Sequence, residues 1–400
     1  MTRASRFVLA AIGILLLTVI LGGCGAIRDG LASVSDPSNA TPISGTAFAG
    51  GFVTVHGRSL ELDGQPFRFV GANIYDAAAS TRYSCRSNTQ MSDAQLLKTL
   101  RYLHNRAGVT VLRFWAYQTY TQGATYWGGV DHVLAAARSV GMKVIPALED
   151  GPGGCTNTPT AVPKANYQGD TWYSAGYKVP YGSASLSYRD YVARVTAHYA
   201  KDPTILGWSM MNEADTSART AKDVPVLVDF ATDIASVIRG VDPRHLITVG
   251  TQSNGAPGAS GPDFTAVYGL PGISFAEVHD WGYWGSDTEP IPGGIGATPP
   301  AAGSVECARR SAPIGCSFAR AVSLDKPLVV GESGMLGTTA HERTLRASRM
   351  RAKMNSAFHA GASGYVIWSV TTAETDGYDL RINTRDPLID QLLQVADQTR

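Results

Sequence analysis

The chain has 400 residues, 34 basic against 33 acidic side chains, and a hydrophobic fraction of 44%. That length suits one large domain or two, and the apolar fraction is ample for a full core. A net charge of +1, with no basic block or stripe, leaves no electrostatic footprint for nucleic acid, so none is expected as a partner.

At the N-terminus Arg3 and Arg6 precede an apolar run from Phe7 to Leu21. The run is short for a bilayer span, which needs about 20 apolar residues. A charged start, an apolar middle and small residues form an export signal. Leu21-Gly22-Gly23-Cys24 resembles a bacterial lipobox. It implies cleavage before Cys24, a diacylglycerol on Cys24, and a body held on the outer face of a bacterial membrane. Residues 1–24 are therefore expected to be a lipoprotein signal peptide. Residues 25–50, rich in Ser, Ala, Gly, Thr and Pro, read as a flexible tether. One domain, 51–400, should follow, acting as a monomer.

From Phe52 the stretch FVTVHGRSLELDG alternates and turns as a short β-hairpin would. Strands and helices then alternate. Strands are expected at FRFVGAN, VTVLRFW, MKVIPAL, ILGWSMM, HLITVG, ISFAEVH, PLVVGES and SGYVIWS. Helices are expected at Ser92 to Arg106 with Ser92 as N-cap, and at Val130 to Val140 ended by Gly141. Others should span Ser187 to Ala200, Ala221 to Arg239, weakly Asp263 to Tyr268, Val305 to Ser323, His341 to Ala360 and Pro387 to Gln398. Such alternation argues for parallel strands, and eight units in one domain fit a (β/α)8 TIM barrel. A doubly wound open sheet is the weaker fit, since no glycine-rich phosphate loop follows the first strand.

In this barrel chemistry sits where the strands end. The strand ends carry Asn73, Arg113 with Trp115, Glu149 with Asp150, Asn212 with Glu213, His279 with Trp281, Glu332, and Trp368. Polar residues of otherwise apolar strands thus gather at one end. Glu213 and Glu332 close strands four and seven, nearly opposite across the mouth. Sugar hydrolysis needs two such carboxyls, one donating a proton and one attacking the anomeric carbon. Retention predicts a separation of about 5–5.5 Å. Arg113 is expected to keep one of them ionised. Trp281, Trp284 and Trp368 are expected to meet sugar faces, and mid-strand Trp208 to be core. No metal site or cofactor is expected: no His-x-His follows strand one, and no CxxC or HxxxH accompanies the cysteines.

These stretches resemble the clan A retaining glycoside hydrolases, and within them family 5, the cellulase and mannanase family. The resemblance is carried by FVTVHGRSLELDGQPFRFVGANIY, VLRFWAY, DPTILGWSMMNEAD, FAEVHDW, KPLVVGESG and GYVIWSV. It implies Glu213 as acid/base, Glu332 as nucleophile, and Asn212 as the amide meeting the sugar 2-hydroxyl. Arg113 would stand beside the nucleophile, His279 on strand six, and Trp368 as a subsite platform. Trp115, Asn73, Trp281 and Trp284 complete the expected substrate contacts. The hairpin and the Arg-Phe-Trp-Ala stretch look most like endo-β-1,4-mannanases. Two positions depart from the family pattern: Ala214 follows Glu213 where proline is usual, and Trp281 stands where a tyrosine usually touches the nucleophile. The implied substrate is a β-linked polysaccharide, most closely mannan. An endo- or exo-β-glucanase of the same fold, or a catalytically silent lipid-anchored carbohydrate binder, are the alternatives.

Beyond Cys24 four cysteines remain, an even number that suggests two disulfides in an exported body. Three connectivities are open. The nearness of Cys307 and Cys316 favours that pair, which leaves Cys85 with Cys155.

Overall fold

Eight strands run parallel in the computed structural model, which describes residues 50–80, 84–85, 89–150, 170–180, 184–252, 256, 258–281, 301–371, 377–382 and 386–399. Cys24, Cys155 and Trp284 lie outside the described residues, as do the expected signal peptide and tether. A small antiparallel sheet comes first, from β1 (Val53–His56), β2 (Ser59–Leu62) and the two-residue β3 (Gln65–Pro66). The expected hairpin thus carries a third short strand.

The barrel strands are β4 (Phe69–Asn73), β5 (Val109–Trp115), β6 (Lys143–Ala147), β7 (Gly207–Ser209), β8 (Leu246–Thr248), β9 (Ala276–Asp280), β10 (Leu328–Ser333) and β11 (Ala362–Ile367). They neighbour one another in the order β8-β7-β6-β5-β4-β11-β10-β9. Between β8 and β9 the circle closes without a ladder: the Ser274 amide donates to the Ile247 carbonyl at 2.7 Å, and the Ile247 amide to Ser274 Oγ at 3.0 Å. The eight strands, the helices between them and the preceding hairpin make the expected (β/α)8 barrel.

Helices α1 (Asp93–Ala107), α2 (Gly128–Val140), α4 (Tyr188–Tyr199), α5 (Val226–Val241), α6 (Gly261–Tyr268), α7 (Ile314–Ser323), α8 (Ala340–His359) and α9 (Pro387–Thr399) accompany them, with a five-residue α3 (Asp170–Ser174) that the sequence did not announce. Their ends follow local chemistry. Ser92 and Gln95 form a capping box at α1, as Thr339 and Glu342 do at α8. Gly141 ends α2 in the left-handed conformation, φ 79°.

Two helices start later than their composition suggests. α5 begins at Val226, because Pro225 precedes it and Arg219 turns back to pair with Asp223. α7 begins at Ile314 rather than Val305. Pro313 has no amide to continue a helix and pushes its predecessor out of the helical region. The Cys307–Cys316 disulfide ties the non-helical 305–313 segment to α7. Cys85 is also disulfide-bonded.

The interior divides along the barrel axis. Its lower part is apolar, built by Phe69, Val111, Ile145, Leu206, Phe275, Val329 and Val366. The hairpin adds Val53, Leu60, Leu62 and Phe67 to the same cluster, so it stoppers the floor. A second, larger cluster fills the shell between strands and helices. Each fully buried Val, Leu or Phe contributes about 1.5–3 kcal/mol. With the floor plugged, the polar strand ends lie at the opposite end of the barrel interior.

Cys307 and Cys316 are nine positions apart. Opening a loop of that size is expected to cost about 2.7 kcal/mol through chain entropy. A urea unfolding midpoint lower in Cys307→Ser/Cys316→Ser than in the parent protein is the expected result, and equal midpoints would show that the bridge contributes nothing.

Candidate active site

Period-two alternation puts every second residue of a strand inside the barrel. Above the apolar floor the inward positions turn polar. Asn73 follows Phe69 on β4, Arg113 follows Val111 on β5, and Glu277 and His279 follow Phe275 on β9. On β10 the register shifts between Val330 and Glu332, a bulge that lies next to the Glu332 side chain.

Arg113 is the centre of this layer and is wholly buried. Its Nε donates to Glu277 Oε1 at 2.9 Å, and its Nη1 to Glu332 Oε1 at 2.6 Å and Asn73 Oδ1 at 3.2 Å. Nη2 donates to Asn212 Oδ1 at 3.0 Å. Asn73 in turn donates to the carbonyls of Gly331 at 3.0 Å and Ile367 at 3.2 Å. It ties β4 to β10 and β11 through these bonds. Asn212 gives one amide hydrogen to Asp150 Oδ1 at 3.1 Å, and its backbone amide bonds the Glu149 carbonyl at 2.6 Å. Glu149 and Asp150 are buried and hold Asn212 in place, and among the described residues no acceptor takes its second amide hydrogen.

Glu213 sits in the left-handed region, φ 57°, which a non-glycine residue adopts at about 1–2 kcal/mol. Its carboxylate accepts from His279 Nδ1 at 2.9 Å and from Gln252 Nε2 at 3.4 Å. His279 Nδ1 is also 3.5 Å from Glu332 Oε2, and its Nε2 is 3.4 Å from Glu277 Oε1. One carboxylate oxygen of Glu213, one of Glu332 and one ring nitrogen of His279 lie within 4.8 Å of one another.

Three atoms that close could grip a cation. Both His279 nitrogens face carboxylates, an arrangement that favours the charged imidazole over one with a free lone pair. Glu332 and Glu213 first, then Glu277, push the imidazole up to about 9 against the effect of burial. Burial alone would raise Glu277, but Arg113, His279 and Ser209 hold it below the ordinary carboxylate range. Three carboxyls, Glu213, Glu277 and Glu332, contact the two cations, Arg113 and His279, and Asp150 and Glu149 stand behind Asn212. This excess of negative charge favours a proton on the Glu213/Glu332 pair. In the resting arrangement burial raises Glu332, to about 7, while His279 and Arg113 draw Glu213 down despite its own burial.

An aromatic wall borders the pair. Tyr75 stacks on Trp368, centroids 4.9 Å apart and planes 10° apart, and Trp115 stacks on Tyr117 at 5.0 Å and 16°. Trp281 meets Trp368 edge-on at 5.8 Å and Tyr378 at 5.3 Å. Trp115 Nε1 and the Tyr117 hydroxyl are buried with no hydrogen-bond partner among the described residues. Trp208 is core, its indole bonded to Asp242 at 2.8 Å.

Sequence reasoning missed Glu277, Gln252, Tyr75 and Tyr117. Glu277 carried a signal: it stands two positions before His279, so a strand that turns His279 inward turns Glu277 inward too.

The family described as Cellulase (glycosyl hydrolase family 5) matches residues 62–374. A probable mannan endo-1,4-beta-mannosidase C of Aspergillus terreus is 26% identical over 293 residues, which are 60% of this chain and 66% of that protein. Mannan endo-1,4-beta-mannosidase 1 of rice, Oryza sativa, is 27% identical over 381 residues, 82% of this chain and 80% of that protein. The crystal structure of the endo-1,4-beta-mannanase from Rhizomucor miehei superposes with a TM-score of 0.61 at 18% identity, covering 87% of this chain and 99% of that one. At that identity the superposition bears on the fold alone.

The folded pKa of His279 lies above its unfolded value. Its stabilising contribution is therefore complete below about pH 6.5 and is lost as pH rises through about 9. Urea midpoints measured across that window should fall more steeply for the parent protein than for His279→Gln. Parallel curves would mean that the imidazole is not held charged.

Proposed function

The chain belongs to glycosyl hydrolase family 5, the cellulase family, and is a glycoside hydrolase; on that premise we propose that it is a retaining endo-β-1,4-mannanase, with Glu213 as acid/base and Glu332 as nucleophile. The observation that carries this reading is the separation of the two carboxylates, with oxygens within 4.8 Å. Inverting enzymes hold their carboxyls about 6.5–9.5 Å apart to admit a water, whereas retaining ones sit at about 5–5.5 Å. Mannan is supported by the relatives named above.

Arg113 holds Glu332 Oε1, which leaves Oε2 to attack the anomeric carbon. Glu213 protonates the departing glycosidic oxygen, then takes a proton from the water that releases the sugar. The spare amide hydrogen of Asn212 suits the 2-hydroxyl. Trp368 on Tyr75, with Trp115 and Trp281, supplies the apolar platform for sugar faces.

Attack requires the shared proton on Glu213. In the resting site Glu213 is the more open of the two, with 13% of its side chain exposed against 3% for Glu332. A sugar in the cleft covers Glu213 and raises its proton affinity, while Glu332 keeps the Arg113 contact. Substrate binding thus moves the proton to where the chemistry needs it. Trp281, in the place of a tyrosine, can donate from its indole but cannot accept.

The reading extends to location. Arg3, Arg6, the apolar run and Leu21-Gly22-Gly23-Cys24 support export with a lipid on Cys24, residues 25–50 as tether and 51–400 as a monomeric catalytic domain. The Cys307–Cys316 disulfide fits an oxidising compartment.

Hydrolysis of defined β-mannans, β-glucans and β-xylans, with product lengths measured, tests the substrate. Glu213→Ala and Glu332→Ala test the roles, and each should lose about a thousandfold or more on mannan, several kcal/mol of barrier. On aryl glycosides Glu213→Ala should burst and stall, and azide should restore turnover as a β-glycosyl azide. Glu332→Ala should yield an α-azide if it is rescued. Wild-type rates in both variants would overturn the roles given to Glu213 and Glu332, and no cleavage of any β-glycan by the parent protein would leave a carbohydrate binder in place of the enzyme.

A further inference from the structure

Glu277 is a third buried carboxylate in the catalytic layer, and neither protonation of the leaving group nor attack uses it. Two of its side-chain partners, Arg113 and His279, are the cations that face the pair. Oε1 accepts from Arg113 Nε at 2.9 Å and lies 3.4 Å from His279 Nε2, and Oε2 accepts from Ser209 Oγ at 2.8 Å. The fold makes room for it. A Cβ on Gly331, the residue before Glu332, would fall 2.1 Å from Glu277 Oε1 and 2.8 Å from its Cδ. The glycine next to the nucleophile is what lets the third carboxylate stand there.

We infer that Glu277 is a positioning residue that sets the proton count of the catalytic pair. It fastens Arg113 and His279 from behind, so that Nη1 of the one and Nδ1 of the other face Glu332 and Glu213. Its charge turns a site of two carboxyls and two cations into one of three and two. With two and two, both catalytic carboxyls could ionise together and no acid would remain. The third negative charge favours a proton on the pair.

The groups facing Glu277 are Arg113 from β5, Ser209 from β7, His279 from β9 and Glu332 from β10, with Glu213 beyond His279. The Tyr268 hydroxyl, from α6, bonds the Glu277 carbonyl at 2.8 Å. The directions agree: the charge of Glu277 is among the influences that raise both Glu332 and His279.

The inference rests on the retaining-hydrolase reading, and Glu277→Gln tests it, since the amide keeps the shape and drops the charge. Removing one negative charge lowers every proton affinity around it. Both limbs of the pH profile of kcat/KM on mannan should therefore move to lower pH, by about one to two units. Glu277→Asp keeps the charge, so it should lose rate with its limbs near those of the parent. A packing role alone would lower kcat in Glu277→Gln and leave both limbs in place, and that result would overturn the inference. A second measurement needs no activity: proton NMR titration of His279 in the parent protein. An imidazole titrating well above pH 7 is expected, and one titrating near 6.5 would refute the claim even if Glu277→Gln failed to fold. If the parent protein cleaves no β-glycan, the hydrolase reading falls, and comparing the His279 titration in the parent protein and in Glu277→Gln still decides whether Glu277 helps to hold His279 charged.

Discussion

The buried guanidinium of Arg113 is the contact on which the mouth of this barrel depends. A lone cation there would be prohibitively costly to desolvate, and one partner would leave most of its donors unmet. It has four acceptors instead, from β4, β9, β10 and the segment after β7. Removing any one of them leaves a charge or an amide unpaired in a dry interior. The strand ends are thereby locked to one another more firmly than ladder bonds alone would lock them, and the Glu213/Glu332 pair inherits that rigidity.

This arrangement needs the division of the interior into an apolar floor and a polar top. The hairpin closes the floor with Val53, Leu60 and Leu62, so water has no route to Arg113 from below. Low polarity around the cluster strengthens each of its charged contacts. It also makes the proton count sensitive to small changes at the rim, such as a sugar covering Glu213. A second buried ion pair, Lys353 with Asp280 at 2.8 Å, and the Tyr365 hydroxyl on Ser333 Oγ at 2.7 Å brace the outer side of β9 and β10.

Most of the frame was legible because its signals are local. Alternation at strand period, the cap at Ser92 and the stop at Gly141 all act within a few residues. The candidate pair was legible because acids closing apolar strands are costly anywhere but at a site. Less visible was anything set by a partner far along the chain. Glu277 reads as one polar letter in an apolar strand, and only the inward turn shared with His279 exposes it. The bonds by which Asn73 joins β4 to the carbonyls of β10 and β11 span 258 and 294 positions and left no mark in the sequence. The late start of α7 follows from Pro313 and the disulfide, which override a composition that suits a longer helix. Gly331 looked like a strand glycine and nothing more.

The clearance at Gly331 also ties two positions of the site together. A side chain there collides with a glutamate at 277, so the two positions are not free to vary independently. Glu277 needs the space that a side chain at 331 would fill, so a substitution at either position is felt at the other. Relatives with a larger residue before the nucleophile should carry a smaller or uncharged one two positions ahead of the strand-six histidine.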